Sequence, residues 1–199
     1  MGEPVPGWIP RGLGLLFLIS FAGSLLWEAT RTPPRERAAQ SPTTSGAAPA
    51  GSAYPSPPLL IPVRGVRPEE LRDTFGETRG GGRRHVAIDI MALRGTPVLA
   101  AADGTVLRMG WNDRGGHTIY HLSPGQRTLY YYAHLDGYAA GLSQGTPLLR
   151  GQVVGYVGDT GNAAPGSYHL HFEVIRIPSP ESWWEGEPVN PYPLLRAVP

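Results

Sequence analysis

The chain contains no cysteine and no lysine. Without thiols it has no disulfides, and any metal site must be built from histidine and carboxylate side chains. A thiol-free chain is compatible with an oxidising compartment. All 17 basic residues are arginine, a bias we read as composition rather than function. Long helices are disfavoured as well. With 27 Gly and 22 Pro in 199 residues, many short elements joined by turns are expected, and hence a mainly β domain. Strong charge is also missing, since the formal net charge is +1. Residues 1–57 carry four arginines and three acids, so the remainder is neutral. A neutral domain argues against nucleic acid as a partner, which takes a basic surface.

The length suffices for one domain with a real core plus appendages. A single long apolar run is present, Gly12 to Trp27, preceded by Arg11. It falls short of the roughly 20 residues of a typical spanning helix but lies near the lower limit of about 17. Residues 1–31 therefore read as a signal peptide or a short membrane anchor, with Ala22, Gly23 and Ser24 as a weak cleavage option. Arg31, Arg35 and Arg37 follow the run, so the positive-inside rule alone would leave the C-terminal side in the cytoplasm. Residues 32–57 are rich in Pro, Ala, Ser, Thr and Gly, with almost no large apolar side chains, and are expected to form a disordered tether. The folded domain is expected over 58–199.

Within that domain, Gly95-Thr96-Pro97-Val98-Leu99 recurs as Gly145-Thr146-Pro147-Leu148-Leu149. Each copy leads into a Gly-containing turn and a second β-branched strand, which suggests two related β units. The one helical candidate is Arg67 to Phe75, with Pro68, Glu69 and Glu70 suited to a first turn.

The histidines carry the chemistry. In His85-Val86-Ala87-Ile88-Asp89-Ile90, strand alternation puts His85, Ala87 and Asp89 on one face and the branched residues on the other. In His169-Leu170-His171-Phe172-Glu173-Val174, His169, His171 and Glu173 share a face opposite an apolar one. In Thr128 to Leu135, alternation groups His134 with Tyr130 and Tyr132. A catalytic zinc needs three protein ligands and an open position for water. The candidates are His85, Asp89 and one or both histidines of His169-Leu170-His171. A neighbouring imidazole titrates near neutrality and can move the proton. His117 and His121 also share a strand face, but no carboxylate accompanies them, and they read as a solvated or half-buried face.

Assembled, these landmarks resemble the lysostaphin-type zinc endopeptidases, the LytM family, over about Pro62 to Leu195. The matching segments are Asp73 to Gly76, Arg84-His85 through Asp89-Ile90, Gly95 to Val98 and Ala102 to Gly104. They continue with Tyr132 to Leu135, Gly155 to Gly161, His169 to Glu173, and Asn190-Pro191. The resemblance implies that His85, Asp89 and His171 bind zinc, with His134 and His169 as unliganded catalytic histidines. It implies a sandwich- or barrel-like β domain of duplicated hybrid design with a groove over the metal. It also implies a peptidoglycan peptide as substrate, which places the domain in the periplasm, tethered to the inner membrane through residues 12–27, against the charge flanks. Many members have Gly where this chain has Ala87. Trp183-Trp184 lies outside the matching motifs and is expected to pack a loop onto the barrel.

The alternative is a non-enzymatic activator of cell-wall amidases. Relatives of that kind lack ligand positions, and this chain keeps all three.

Overall fold

The computed structural model describes residues 58–197. The apolar run and the tether lie outside the described residues. Among the described residues no helix is long and apolar enough to cross a membrane.

The fold is built from short antiparallel strands. They are β1 (Thr78–Arg79), β2 (Arg83–Arg84), β3 (Ile88–Met91), β4 (Pro97–Leu99), β5 (Gly104–Asn112) and β6 (Gly116–Leu122). There follow β7 (Thr128–Tyr138), β8 (Pro147–Leu148), β9 (Val153–Val157), β10 (His169–Arg176), β11 (Glu187–Val189) and one short helix, α1 (Pro191–Arg196). β1 and β2 form a small hairpin, and the other strands form one sheet. Its main path runs β11-β10-β7-β6-β5-β8, with β3 on β10 and β9 bridging β7 and β4. The mainly β class expected from the Gly and Pro content holds.

The helical candidate at Arg67 contracts to a three-residue 3-10 turn, Pro68–Glu70. The Glu70 carboxylate accepts from the Arg67 backbone N–H, which ties the turn to its start. Asp73 then accepts from the Phe75 N–H and turns the chain before a second helical turn can form. Gly80–Gly82 and Pro180–Glu185 are also 3-10.

The Gly-Thr-Pro repeat is structural, and its two copies exchange strands. β4 of the first copy pairs with β9 of the second, while β8 of the second pairs with β5 of the first. The same hydrogen bonds recur in both. Gly95 N donates to Val157 O and Val157 N to Thr96 O; Gly145 N donates to Val106 O and Val106 N to Thr146 O. Gly95 and Gly145 both take left-handed backbone, at φ 80° and 85°, which glycine adopts without a side-chain penalty.

The core lies on one face of the long strands. Ile88 and Ile90 of β3, Leu170, Phe172 and Val174 of β10, and Tyr132 of β7 are all buried there. Truncating a fully buried residue such as Phe172 to Ala costs about 3–5 kcal/mol. The Tyr132 hydroxyl is satisfied inside the core, accepting from Ala101 N at 3.0 Å and donating to His121 Nδ1 at 3.2 Å. His121 is thus completely buried and does not sit on the solvated or half-buried face expected for it. Burial holds its imidazole down to about 4, so it is neutral at pH 7. His117 is half-buried and packs edge-on against Trp111 and Tyr138.

Candidate metal and catalytic site

The opposite face of β3, β10 and β7 carries the histidines. β10 sits between the other two. His171 lies directly across from Asp89 on one side and from Ala133 on the other. The alternation expected along His169 to Val174 holds, with Leu170 and Phe172 fully buried in the core and His171 and Glu173 facing the groove.

His85 and Asp89 do face the same way, but not from one strand. β3 begins only at Ile88. His85 is held instead by the continuation of the β1–β2 hairpin, its N–H donating to Glu77 O while its carbonyl accepts from Gly76 N. Ala87, at the position where many relatives of the resembled family have Gly, is fully buried.

His134 departs from the expected alternation. Tyr130 and Tyr132 face the core, whereas His134 lines the groove with Tyr131 and Ala133. The cause is a bulge. Between the pairs Ile119↔Tyr132 and His117↔Leu135, β7 contains one residue more than β6. His134 absorbs the extra length in left-handed backbone, φ 61°. A non-glycine residue held there costs free energy and is concentrated at functional sites. The segment that follows β9 is pressed against this bulge. A Cβ at Gly158 would lie 2.8 Å from the His134 carbonyl oxygen.

Three donor atoms converge: His85 Nε2, Asp89 Oδ1 and His171 Nδ1. The separations are 3.1 Å from Asp89 to His85, 3.1 Å from Asp89 to His171, and 3.2 Å between the two nitrogens. This near-equilateral triangle matches the edge of about 3.4 Å expected for ligands about 2.1 Å from a tetrahedral zinc. The remote ring nitrogens are already engaged. His85 Nδ1 donates to Thr74 O at 2.8 Å, and His171 Nε2 donates to Glu173 Oε1 at 3.0 Å. With the remote nitrogens so engaged, His85 Nε2 and His171 Nδ1 are the ring atoms left to meet Asp89, and a metal bound there would take the place of their inward protons. Burial raises the Asp89 carboxyl, but hydrogen bonds from His171 and His85 outweigh it and hold the group well below the usual range. Burial lowers His171, but its hydrogen bonds to Asp89 and Glu173 prevail and raise it to about 9. The donor set therefore fits zinc.

Two further imidazoles stand beside the triangle. The ring centroids of His134 and His169 are 4.9 Å apart, and His134 is 5.5 Å from His171. His134 Nδ1 donates to Thr160 O at 2.8 Å, and His169 Nδ1 to Ser167 O at 2.7 Å. With Nδ1 so anchored, each ring has Nε2 left for another partner; that of His169 lies 3.9 Å from Asp89 Oδ1. Burial holds His134 down to about 4. All five residues singled out in the sequence are thus brought together.

Several contributors had no assigned role. Arg79 donates to Asp89 Oδ2 at 2.7 Å. Glu173 orients His171, and the carbonyls of Thr74, Thr160 and Ser167 fix three tautomers. Trp183 packs on Tyr120, ring centroids 4.8 Å apart, as expected of a loop anchor. Trp184 does not pack away; it is 66% exposed at the groove.

Fold and site together define a β-sheet hydrolase-like domain with a His–Asp–His metal triangle and two free imidazoles. The chain belongs to peptidase family M23, whose model matches residues 83–191. It is 39% identical over 133 residues to the L-Ala--D-Glu endopeptidase of Bacillus subtilis, the match covering 63% of this chain and 39% of that protein. It is 32% identical over 127 residues to the murein hydrolase activator NlpD of Escherichia coli, covering 64% and 28%. The fold matches the catalytic domain of lysostaphin from Staphylococcus simulans with a TM-score of 0.51 at 27% identity, covering 62% of this chain and 86% of that one. The matches span only about a quarter to two fifths of the curated relatives' own lengths.

Proposed function

We propose that the chain is a zinc-dependent endopeptidase that hydrolyses peptide bonds of bacterial peptidoglycan, with His85, Asp89 and His171 as ligands and His134 and His169 as catalytic residues. One observation carries the reading: three donor atoms form a triangle of zinc dimensions, and two imidazoles anchored through Nδ1 stand beside it. When bound, zinc polarises the substrate carbonyl and lowers the pKa of a bound water toward about 7.

The chain's own residues do the rest. Asp89 and the two ligand histidines would hold the metal. Glu173 and the Thr74 carbonyl hold the ligand rings in the tautomers that present lone pairs inward. His134 and His169 are anchored through Nδ1, so each offers Nε2 to accept the proton of the attacking water. The imidazolium so formed delivers that proton to the leaving amine. The similarity to the B. subtilis endopeptidase supports a cell-wall peptide as substrate, and that substrate class supports export to the envelope.

The similarity to NlpD raises the second reading, an activator without hydrolysis. The intact triangle favours the enzyme. The full chain, supplied with zinc, is expected to release soluble muropeptides from purified sacculi, and His134→Ala to abolish release. Absence of bound zinc, together with no release after zinc is added, would favour the activator.

A further inference from the structure

From the metal triangle a row of side chains crosses the sheet on the groove face. Glu173 follows His171 by two residues on β10 and pairs in register with Tyr131 of β7. Tyr131 pairs with Tyr120 of β6, and Tyr120 pairs with Arg108 of β5. The two tyrosine rings touch, with centroids 4.7 Å apart, and Trp183 leans on Tyr120 from outside the sheet. Three strand spacings separate Glu173 from Arg108, about 14 Å. That is the span of about four residues of an extended peptide.

The charges along this groove, of about 1620 Å³, are lopsided. Each acid facing it is engaged: Glu70 by Arg67, Glu77 and Asp89 by Arg79, and Glu173 by His171. Of the arginines facing it, Arg72, Arg83, Arg84, Arg108 and Arg114 form no ion pair among the described residues. Five of the ten described arginines without an ion pair thus face the groove, and no unpaired acid does. Arg108 is exposed at the end of the aromatic row, with its guanidinium free to take a carboxylate in the two-pronged geometry that arginine favours.

We propose that the row Glu173–Tyr131–Tyr120–Arg108 is the floor of a peptide subsite, and that Arg108 binds a substrate carboxylate about five residues from the bond that is cut, once the two-residue step from His171 to Glu173 is added. The chain then prefers an anionic peptide over a neutral, glycine-only one. The tyrosine rings, tilted 44° to one another, supply an aromatic floor for the intervening residues, and Trp184 forms a wall. This inference rests on the peptidase reading, but its test does not depend on turnover alone.

The experiment uses the full zinc-loaded chain and two peptide series that carry either Glu or Gln at positions three to five residues from the cleaved bond. Both binding and hydrolysis are measured, binding through quenching of tryptophan fluorescence. The wild type is expected to prefer one Glu peptide over its Gln partner by about threefold to fivefold in Kd and KM, as for a single exposed ion pair. Arg108→Gln is expected to erase that preference in both Kd and KM, and Arg108→Glu to shift it to a Lys-bearing peptide. An unchanged preference in Arg108→Gln, or none in the wild type, overturns the inference. Binding preference without cleavage of any peptide would instead count against the peptidase reading and leave the subsite standing.

Discussion

Arg79 and Asp89 are joined by a 2.7 Å ion pair through Asp89 Oδ2, and this leaves Oδ1 as the oxygen that faces both ligand histidines. The guanidinium comes from the end of β1, on a hairpin otherwise short and glycine-rich. It therefore holds the carboxylate from outside the triangle and selects which oxygen points in. Arg79→Ala is expected to weaken zinc binding by about tenfold to a hundredfold, as removal of a ligand's outer partner does. Competition with a chelator of known affinity measures this directly. Unaltered affinity would show that the pair only anchors the hairpin.

Zinc removal is expected to lower the melting temperature of the chain. A ligand bound only to the folded state stabilises it by about 2.7 kcal/mol when present at a hundred times its Kd. Thermal melts with and without chelator should therefore differ by several degrees. The difference should shrink in His171→Ala, which removes one corner of the triangle.

Gly158→Ala is expected to damage His134 without touching the ligands. The added methyl would lie 2.8 Å from both the His134 carbonyl and the Asp136 Cα, all backbone atoms that cannot swing away. Overpacking of this kind costs about 1–3 kcal/mol. The expected signature is lowered stability and loss of muropeptide release, with zinc affinity retained. A variant with normal release would mean that the bulge tolerates displacement.

His121 gives an acid-sensitivity prediction remote from the metal. Its folded-state pKa is depressed to about 4 by burial, below the unfolded value near 6.5. Between these values the unfolded chain binds the extra proton and the folded chain does not. Stability contributed by the neutral ring is thus complete above about pH 6.5 and is lost as pH falls toward 4. His121→Gln keeps an acceptor for the Tyr132 hydroxyl but does not titrate. Denaturant melts should show a shallower loss between pH 6.5 and 4 in the variant than in the wild type. Parallel curves would remove His121 from the account.

What the sequence made legible follows the regularity of the backbone. β10 is a continuous strand, so period-two alternation sorted His169, His171 and Glu173 from Leu170, Phe172 and Val174 correctly. The same rule misplaced His134, because a bulge is set by how β7 pairs with two neighbours and has no local signature in Tyr-Tyr-Ala-His. Alternation left open which histidine of His169-Leu170-His171 faces the triangle; the family resemblance implied His171, and β3 pairs His171 with Asp89. The anchors of His85, His134 and His169 are backbone carbonyls, which every residue has, so side-chain identity could not mark them. Arg79 and Glu173 were visible as letters, but their partners depend on tertiary contact. The repeat was readable from Gly-Thr-Pro; that its copies trade strands was not.

That exchange bears on when the site comes into being. Each half of the domain finishes its sheet with a strand from the other, and His171 stands opposite Asp89 from 82 residues further along the chain. As the chain emerges from its N-terminal end, His85, Asp89 and His134 precede the strand that carries His169 and His171. Until β10 is docked there is no triangle, no anchored pair of imidazoles and no groove floor. An unfinished or half-degraded molecule is therefore inert, and competence arrives in one late step with closure of the sheet.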